Sequence, residues 1–192
     1  MDFKFKRIIV AGKGGSGKDY LVKMLKESGY TYSVSHTSRP KRDEEIEGVD
    51  YYFIEKDEAL RMAKNSEFYE YVEFNEWFYG TSIKEFERAN LFIMTPSGIA
   101  KLKPEHRQES LILFLDIDEE ILVERLSKRK DADKADRRIA ADREDFKDFV
   151  DYDHRITNPN FTLSEIGGLI NKRVLEIFSK YPSINIKSNQ DD

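Results

Sequence analysis

A chain of 192 residues carries a formal net charge of -5, is 39% hydrophobic and 36% charged, and has no cysteine. That balance excludes a disordered chain, a disulfide framework and a thiolate metal site, and the negative charge argues against general nucleic-acid binding. No apolar run approaches the roughly 20 residues that a membrane-spanning helix needs, and the start MDFKFKR lacks the apolar stretch of a signal peptide, so a cytoplasmic protein with no membrane partner is expected.

KRIIVAG, residues 6–12, is a short apolar run closing on glycine, which suits a buried strand, and KDYLVKMLKES places Leu21, Met24 and Leu25 at helical spacing before a stop at Gly29. YTYSVS, residues 30–35, reads as a β-rich segment. Residues 37–90 are charged at first and then dense in aromatics through VDYYF, EFYEYVEF and WFYGTS, the mark of an insertion. LFIM and LILFLDI are further buried strands, and helices are expected over 118–130 and 133–149. A last helix starts at Thr162, where T-x-x-E makes a capping box with Glu165, and Ile166, Leu169, Ile170, Val174, Ile177 and Phe178 form its apolar stripe. Strands alternating with helices indicate an α/β fold around a parallel sheet, at a length that suits one domain with small insertions.

The segment IIVAGKGGSGKDYL carries the chemistry. Gly12, Lys13, Gly14, Gly15, Ser16, Gly17 and Lys18 fit the phosphate-loop pattern G-x-x-x-x-G-K-[ST], while Asp19 stands where a hydroxyl is usual. Glycines let successive N–H groups turn inward and the following helix adds its positive end, so a polyphosphate meets many donors at once, with Lys18 on its terminal phosphates. At Asp19 two readings stand open: a carboxylate that holds Mg²⁺ directly or through its water, or an anion favoured at a helix N-terminus.

SHTSRPKR, EGVDYYF, FYEYVEF, YGTS, RLSKR, RRIAADRED and YDHRITN follow the order and spacing of the guanylate kinase family, which residues 8–175 of this chain resemble. The resemblance implies an ATP-dependent nucleoside monophosphate kinase with a P-loop core of three layers around a parallel sheet (residues 1–33, 90–125 and 141–192), an inserted monophosphate-binding region (34–89) and a short helical lid (126–140). It implies that Ser35, Arg39, Arg42, Tyr51 and Tyr79 cradle the acceptor phosphate, and that Glu70 and Thr81 read the base. Guanidinium groups hold phosphate through paired charge-assisted bonds, and a carboxylate can accept from both N1–H and N2–H of guanine, a donor pair adenine lacks. Arg125, Arg129 and Arg138 match lid-side arginines that close on the transferred phosphate, and Asn158 matches a position near the donor base. With Lys18 and Arg39, Arg129 and Arg138 make up the implied catalytic set, acting by charge and positioning, with Mg²⁺ and no general base. Arg143 reads as a charged helix face, and His36, His106 and His154 show no metal-ligand spacing.

Two departures bear on function. Where the family carries acidic residues at an LDID-like strand end, LFIMTPSG puts Ile93 and Thr95, and the next strand ends with Asp116 and Asp118. Carboxylate support for Mg²⁺ moved to Asp19, helped by Asp116, is one expectation; a strand end and helix start at Asp116 and Asp118 is the other. The implied reaction moves the terminal phosphate of ATP to GMP or dGMP. Its alternatives are a deoxynucleoside monophosphate kinase of altered or broader base choice, and a non-catalytic module that grips phosphorylated partner proteins through the acceptor site.

Overall fold

β1 (Arg7–Gly12) is buried along its whole length, as the apolar run predicts for a strand covered on both faces. It feeds α1 (Lys18–Glu27) through the glycine loop, and the chain then leaves the core. β2 (His36–Thr37), β3 (Tyr52–Phe53), α2 (Lys56–Lys64), β4 (Phe68–Phe74), β5 (Trp77–Ser82) and α3 (Ile83–Arg88) make the insertion. The chain returns with β6 (Leu91–Ile93), α4 (Pro96–Ile99), α5 (Pro104–Gln108), β7 (Ser110–Leu115) and α6 (Glu119–Ser127), and ends with α7 (Ala135–Phe146), β8 (His154–Ile156) and α8 (Leu163–Lys180). The computed structural model describes residues 6–74, 76–128 and 135–180, excluding the side chains of 74, 135–138, 174 and 176–180.

Two four-stranded sheets result, one parallel in the order β6-β1-β7-β8 and one mixed in the order β3-β2-β5-β4. Both LFIM and LILFLDI therefore flank the loop strand, with Val10 opposite Ile93 on one side and Leu113 on the other. Period-two alternation splits β1 between two layers. Ile8 and Val10 pack with Leu21, Leu25, Leu113 and Ile166 beneath α1 and α8, whereas Ile9 and Ala11 pack with Phe86, Phe92, Phe114 and Phe146 beneath α3 and α7. The capping box forms at the head of α8: Thr162 N–H donates to Glu165 at 2.7 Å, and Glu165 N–H donates to the Thr162 hydroxyl at 3.3 Å. No described helix is long and apolar enough to cross a membrane.

The segment YTYSVS is not a strand. Tyr32 makes one isolated bridge to Leu91, and regular pairing starts only at His36. Its backbone donors go to unlike partners, Ser33 N–H to the Leu91 carbonyl and Val34 N–H to the buried carboxylate of Glu85 at 2.8 Å, so no ladder can propagate.

Candidate active site

The loop between β1 and α1 wraps tightly against the core. A Cβ at Gly12 would stand 2.6 Å from Ser16 Oγ and 2.9 Å from the Leu115 carbonyl, so only glycine allows the first turn. Gly17 caps α1 with φ 98, in the left-handed region that the same residue type permits. Lys18 Nζ donates to the carbonyls of Gly12 at 2.8 Å and Lys13 at 3.0 Å, which bends the side chain back over the loop mouth. Asp19, exposed, is the second residue of α1 and stands in its first turn, where the helix dipole favours an anion, rather than at the cap.

Two side chains from the far half of the chain hold the loop. Arg125 donates to the Gly15 carbonyl at 3.0 Å and to the Pro159 carbonyl at 3.1 Å, tying the loop to the segment after β8. Asp142 accepts from Gly14 N–H at 2.6 Å. Arg125, which the family resemblance puts on the lid side, straps the loop backbone here; the arginine-rich stretch signalled a basic residue but not these partners. Arg129 and the side chain of Arg138 lie outside the described residues.

Arg39, Tyr51 and Tyr79, expected on the acceptor side, meet on the second sheet. Arg39 lies over Tyr51 and Phe53, its guanidinium 5.5 and 5.8 Å from their ring centroids, and Tyr51 packs against Tyr79 at 6.2 Å. Burial, then the neighbouring Tyr79, pushes the Tyr51 phenol up to about 12, so it stays a neutral donor at any physiological pH. The Asp19 charge adds a smaller upward push at Tyr51, after burial and Tyr79. Ser35 lies just before β2, where its carbonyl accepts from Tyr52 N–H at 2.9 Å.

Glu45 is a member of the cradle that composition and motif did not single out. Its carboxylate accepts from Arg39 at 2.6 Å and from Arg42 N–H at 2.8 Å, and lies 3.8 Å from the Arg42 guanidinium. Burial opposes its charge, but those bonds hold its carboxyl below the usual carboxylate range, and it in turn holds Arg39 above its own. Two arginines are thereby fixed at one spacing before any phosphate arrives. Glu45→Ala is expected to raise the KM for the acceptor nucleotide about tenfold with a smaller change in kcat, because the arginines must then be ordered by the ligand. Steady-state kinetics with varied acceptor would check this; an unchanged KM would reject it.

The two residues expected to read the base are in contact. Thr81 Oγ1 donates to Glu70 Oε1 at 2.8 Å, with Glu70 8% and Thr81 1% exposed. Gly98 of α4 gives the carboxylate room, since a Cβ there would stand 3.0 Å from Glu70 Oε2. Burial holds the Glu70 carboxyl above the usual range against the opposing Thr81 hydroxyl and Lys101 charge. Thr95 caps α4, accepting from Gly98 N–H at 3.2 Å, and its hydroxyl lies 3.0 Å from that of Ser97. Glu85, also missed, braces the site from below: 3% exposed, it accepts from Val34 N–H and from Arg88 at 2.7 Å, fixing the chain that leads to Ser35. The S-x-x-E of Ser82 and Glu85 was its one local signal, and that reads only as a helix cap.

Other predicted positions have structural partners. Asp116 is ion-paired with Arg155 at 2.7 Å, and Asp118 caps α6 by accepting from Glu120 N–H at 3.0 Å, so the strand-end and helix-start reading of this pair has direct contacts behind it. Arg143 pairs with Glu119 on the surface at 2.8 Å. Asn158 Oδ1 accepts from Asn160 N–H at 3.0 Å in the exposed turn after β8. His106 Nδ1 lies 2.7 Å from the Tyr69 hydroxyl, which also accepts from Lys103 N–H at 3.1 Å.

Comparison with known proteins agrees with this architecture. The family model described as guanylate kinase matches residues 4–166. The chain is 31% identical over 177 residues to a guanylate kinase of Mycoplasma genitalium, covering 84% of this chain and 73% of the relative. It is 32% identical over 168 residues to one of Coxiella burnetii, covering 82% of each. Its fold matches a crystal structure of guanylate kinase from Anaplasma phagocytophilum with a TM-score of 0.60 and 24% identity, across 93% of this chain and 97% of that one. The chain belongs to the guanylate kinase family of ATP-dependent nucleoside monophosphate kinases.

Proposed function

We propose that this chain moves the terminal phosphate of ATP to GMP or dGMP, giving ADP and GDP or dGDP. The observation that carries the reading is the presence of two anion sites in one chain: an amide-lined loop with Lys18 at its mouth, and a cradle in which Arg39 lies over Tyr51 and Tyr51 packs on Tyr79. Held between them, two polyanions that would otherwise repel each other are brought end to end, and positioning with positive charge supplies most of the rate.

In this reading the loop amides and Lys18 hold the donor phosphates. Arg39, Arg42, Ser35, Tyr51 and Tyr79 hold the acceptor phosphate, with Glu45 keeping the arginines at their spacing. Glu70 accepts from the guanine edge while Thr81 turns its hydroxyl towards O6. Arg129 and Arg138 close over the transferred group, and residues 126–140 exclude water around it.

Asp19 is the residue that would hold Mg²⁺. Among the described residues no three His, Asp or Glu groups gather into a cage, and Asp116 already has Arg155. Mg²⁺ usually takes one or two carboxylates and completes its shell with phosphate oxygens and water, so one exposed carboxylate beside the loop fits. When bound, the ion offsets the charge that develops on the bridging phosphate oxygens.

Thr95 and Ile93 favour a second reading, in which base choice is broader. Thr95 gives the pocket a capping hydroxyl where the family pattern has an acid, which leaves Glu70 as the carboxylate that senses the guanine edge. A coupled ADP-release assay with a panel of monophosphates tests both. Turnover confined to GMP and dGMP supports the first reading, comparable turnover on other bases supports the second, and none at all rejects catalysis in favour of phosphoprotein binding.

A further inference from the structure

One carboxylate has no part in the chemistry above, yet it occupies a donor of the phosphate loop. Asp142 Oδ2 accepts from Gly14 N–H at 2.6 Å, short even for a charge-assisted bond. Gly14 makes the room, since a Cβ there would stand 3.1 Å from the same oxygen. α7 is braced in the position that delivers this anion: Arg143 pairs with Glu119 of α6, and Phe146 stacks on Phe114 of β7 with centroids 5.4 Å apart. The contact joins residues 128 apart in sequence, so no local turn preference produces it.

Loop amides of this kind bind anions because they converge and because α1 adds its dipole. A carboxylate on one of them satisfies the same electrostatic demand as a phosphate oxygen, and two anions cannot share one N–H at hydrogen-bond distance without strong repulsion. We propose that Asp142 is an autoinhibitory anion that competes with the donor nucleotide's terminal phosphate for Gly14, so that phosphate binding must displace it and shift α7. This rests on reading the loop as the donor site. Positions 138 and 142 lie one turn apart on α7, so the helix that withdraws the carboxylate also carries the arginine assigned to the transferred phosphate.

The test is calorimetric titration of the full chain with a non-hydrolysable ATP analogue, and separately with GMP, for the native protein, Asp142→Asn and Asp142→Ala. Asparagine keeps the shape and an acceptor oxygen while removing the charge, and so serves if alanine disturbs folding. Both variants are expected to bind the analogue about tenfold tighter with GMP affinity unchanged, as loss of a competing anion requires. Equal or weaker binding of the analogue by variants that still bind GMP overturns the inference alone. If neither the native protein nor the variants bind the analogue while all bind GMP, the donor-site reading falls and takes the inference with it.

Discussion

Lys18→Ala is expected to lower kcat/KM for phosphoryl transfer by about 10³-fold, the scale of losing a preorganised charge on the reacting phosphates. Lys18 Nζ already lies at the loop mouth, held by the Gly12 and Lys13 carbonyls at 2.8 and 3.0 Å. Turning it onto the donor phosphates exchanges two neutral acceptors for anionic oxygens, a gain that grows as charge builds in the transition state. Lys18→Arg should recover little, because a planar fork cannot replace a compact charge on a stem of that length. The side chain lies outside the two apolar layers, so the thermal midpoint should fall by less than about 5 °C, the shift expected for one lost polar contact in a chain of this size. Steady-state ADP release together with a circular-dichroism melt measures both quantities. Activity within tenfold of the native protein would remove Lys18 from the mechanism.

How much of this was legible in the sequence follows from the range of each interaction. β1, β7 and the capping box at Thr162 depend on near neighbours, and an apolar run or T-x-x-E states them outright. The parallel order around β1 follows from alternation of strands and helices, because short crossovers leave few topologies. Side chains that act across the fold left no such trace. Asp142 meets Gly14, Asp116 meets Arg155 and Glu85 meets Val34 over separations of 128, 39 and 51 residues, and nothing local to an acidic residue announces which distant donor it will find. Glu45 is the instructive case. It stands six positions from Arg39, yet in a run as charged as RPKRDEEIE any of four acids could have paired, and only the turn that directs Arg42 N–H onto Glu45 selects one. YTYSVS failed for the same reason: β propensity is a statement about side chains, whereas a strand needs a partner whose backbone donors and acceptors run in register.

Glu70→Gln should separate stability from specificity. Guanine offers two donors, N1–H and N2–H, and the anionic carboxylate can accept both. A Cβ at Gly98 would lie 3.0 Å from Oε2, so the group has little room to turn away. An amide in its place would put a donor against a donor, and kcat/KM for GMP should drop about 10²-fold or more, since a mispaired buried group costs more than a contact merely lost. The fold should respond in the opposite sense. Burial raises the Glu70 carboxyl above its ordinary range despite the Thr81 hydroxyl and Lys101, so the folded chain holds that proton more tightly than the unfolded one. The stabilisation from this group is full below the unfolded value near 4.5 and is lost as pH rises through the raised folded value. Above that raised value the native protein carries a buried charge that glutamine removes, and there the variant should melt at an equal or higher temperature. The same shift makes the KM for GMP rise on acidification at a higher pH than an ordinary glutamate would give, because protonation takes away one of the two acceptors. Melting curves at several pH values, set beside GMP kinetics at each, read both effects from one preparation. A variant that melted lower at pH 7 while keeping its affinity for GMP would make Glu70 a structural carboxylate with no part in reading the base.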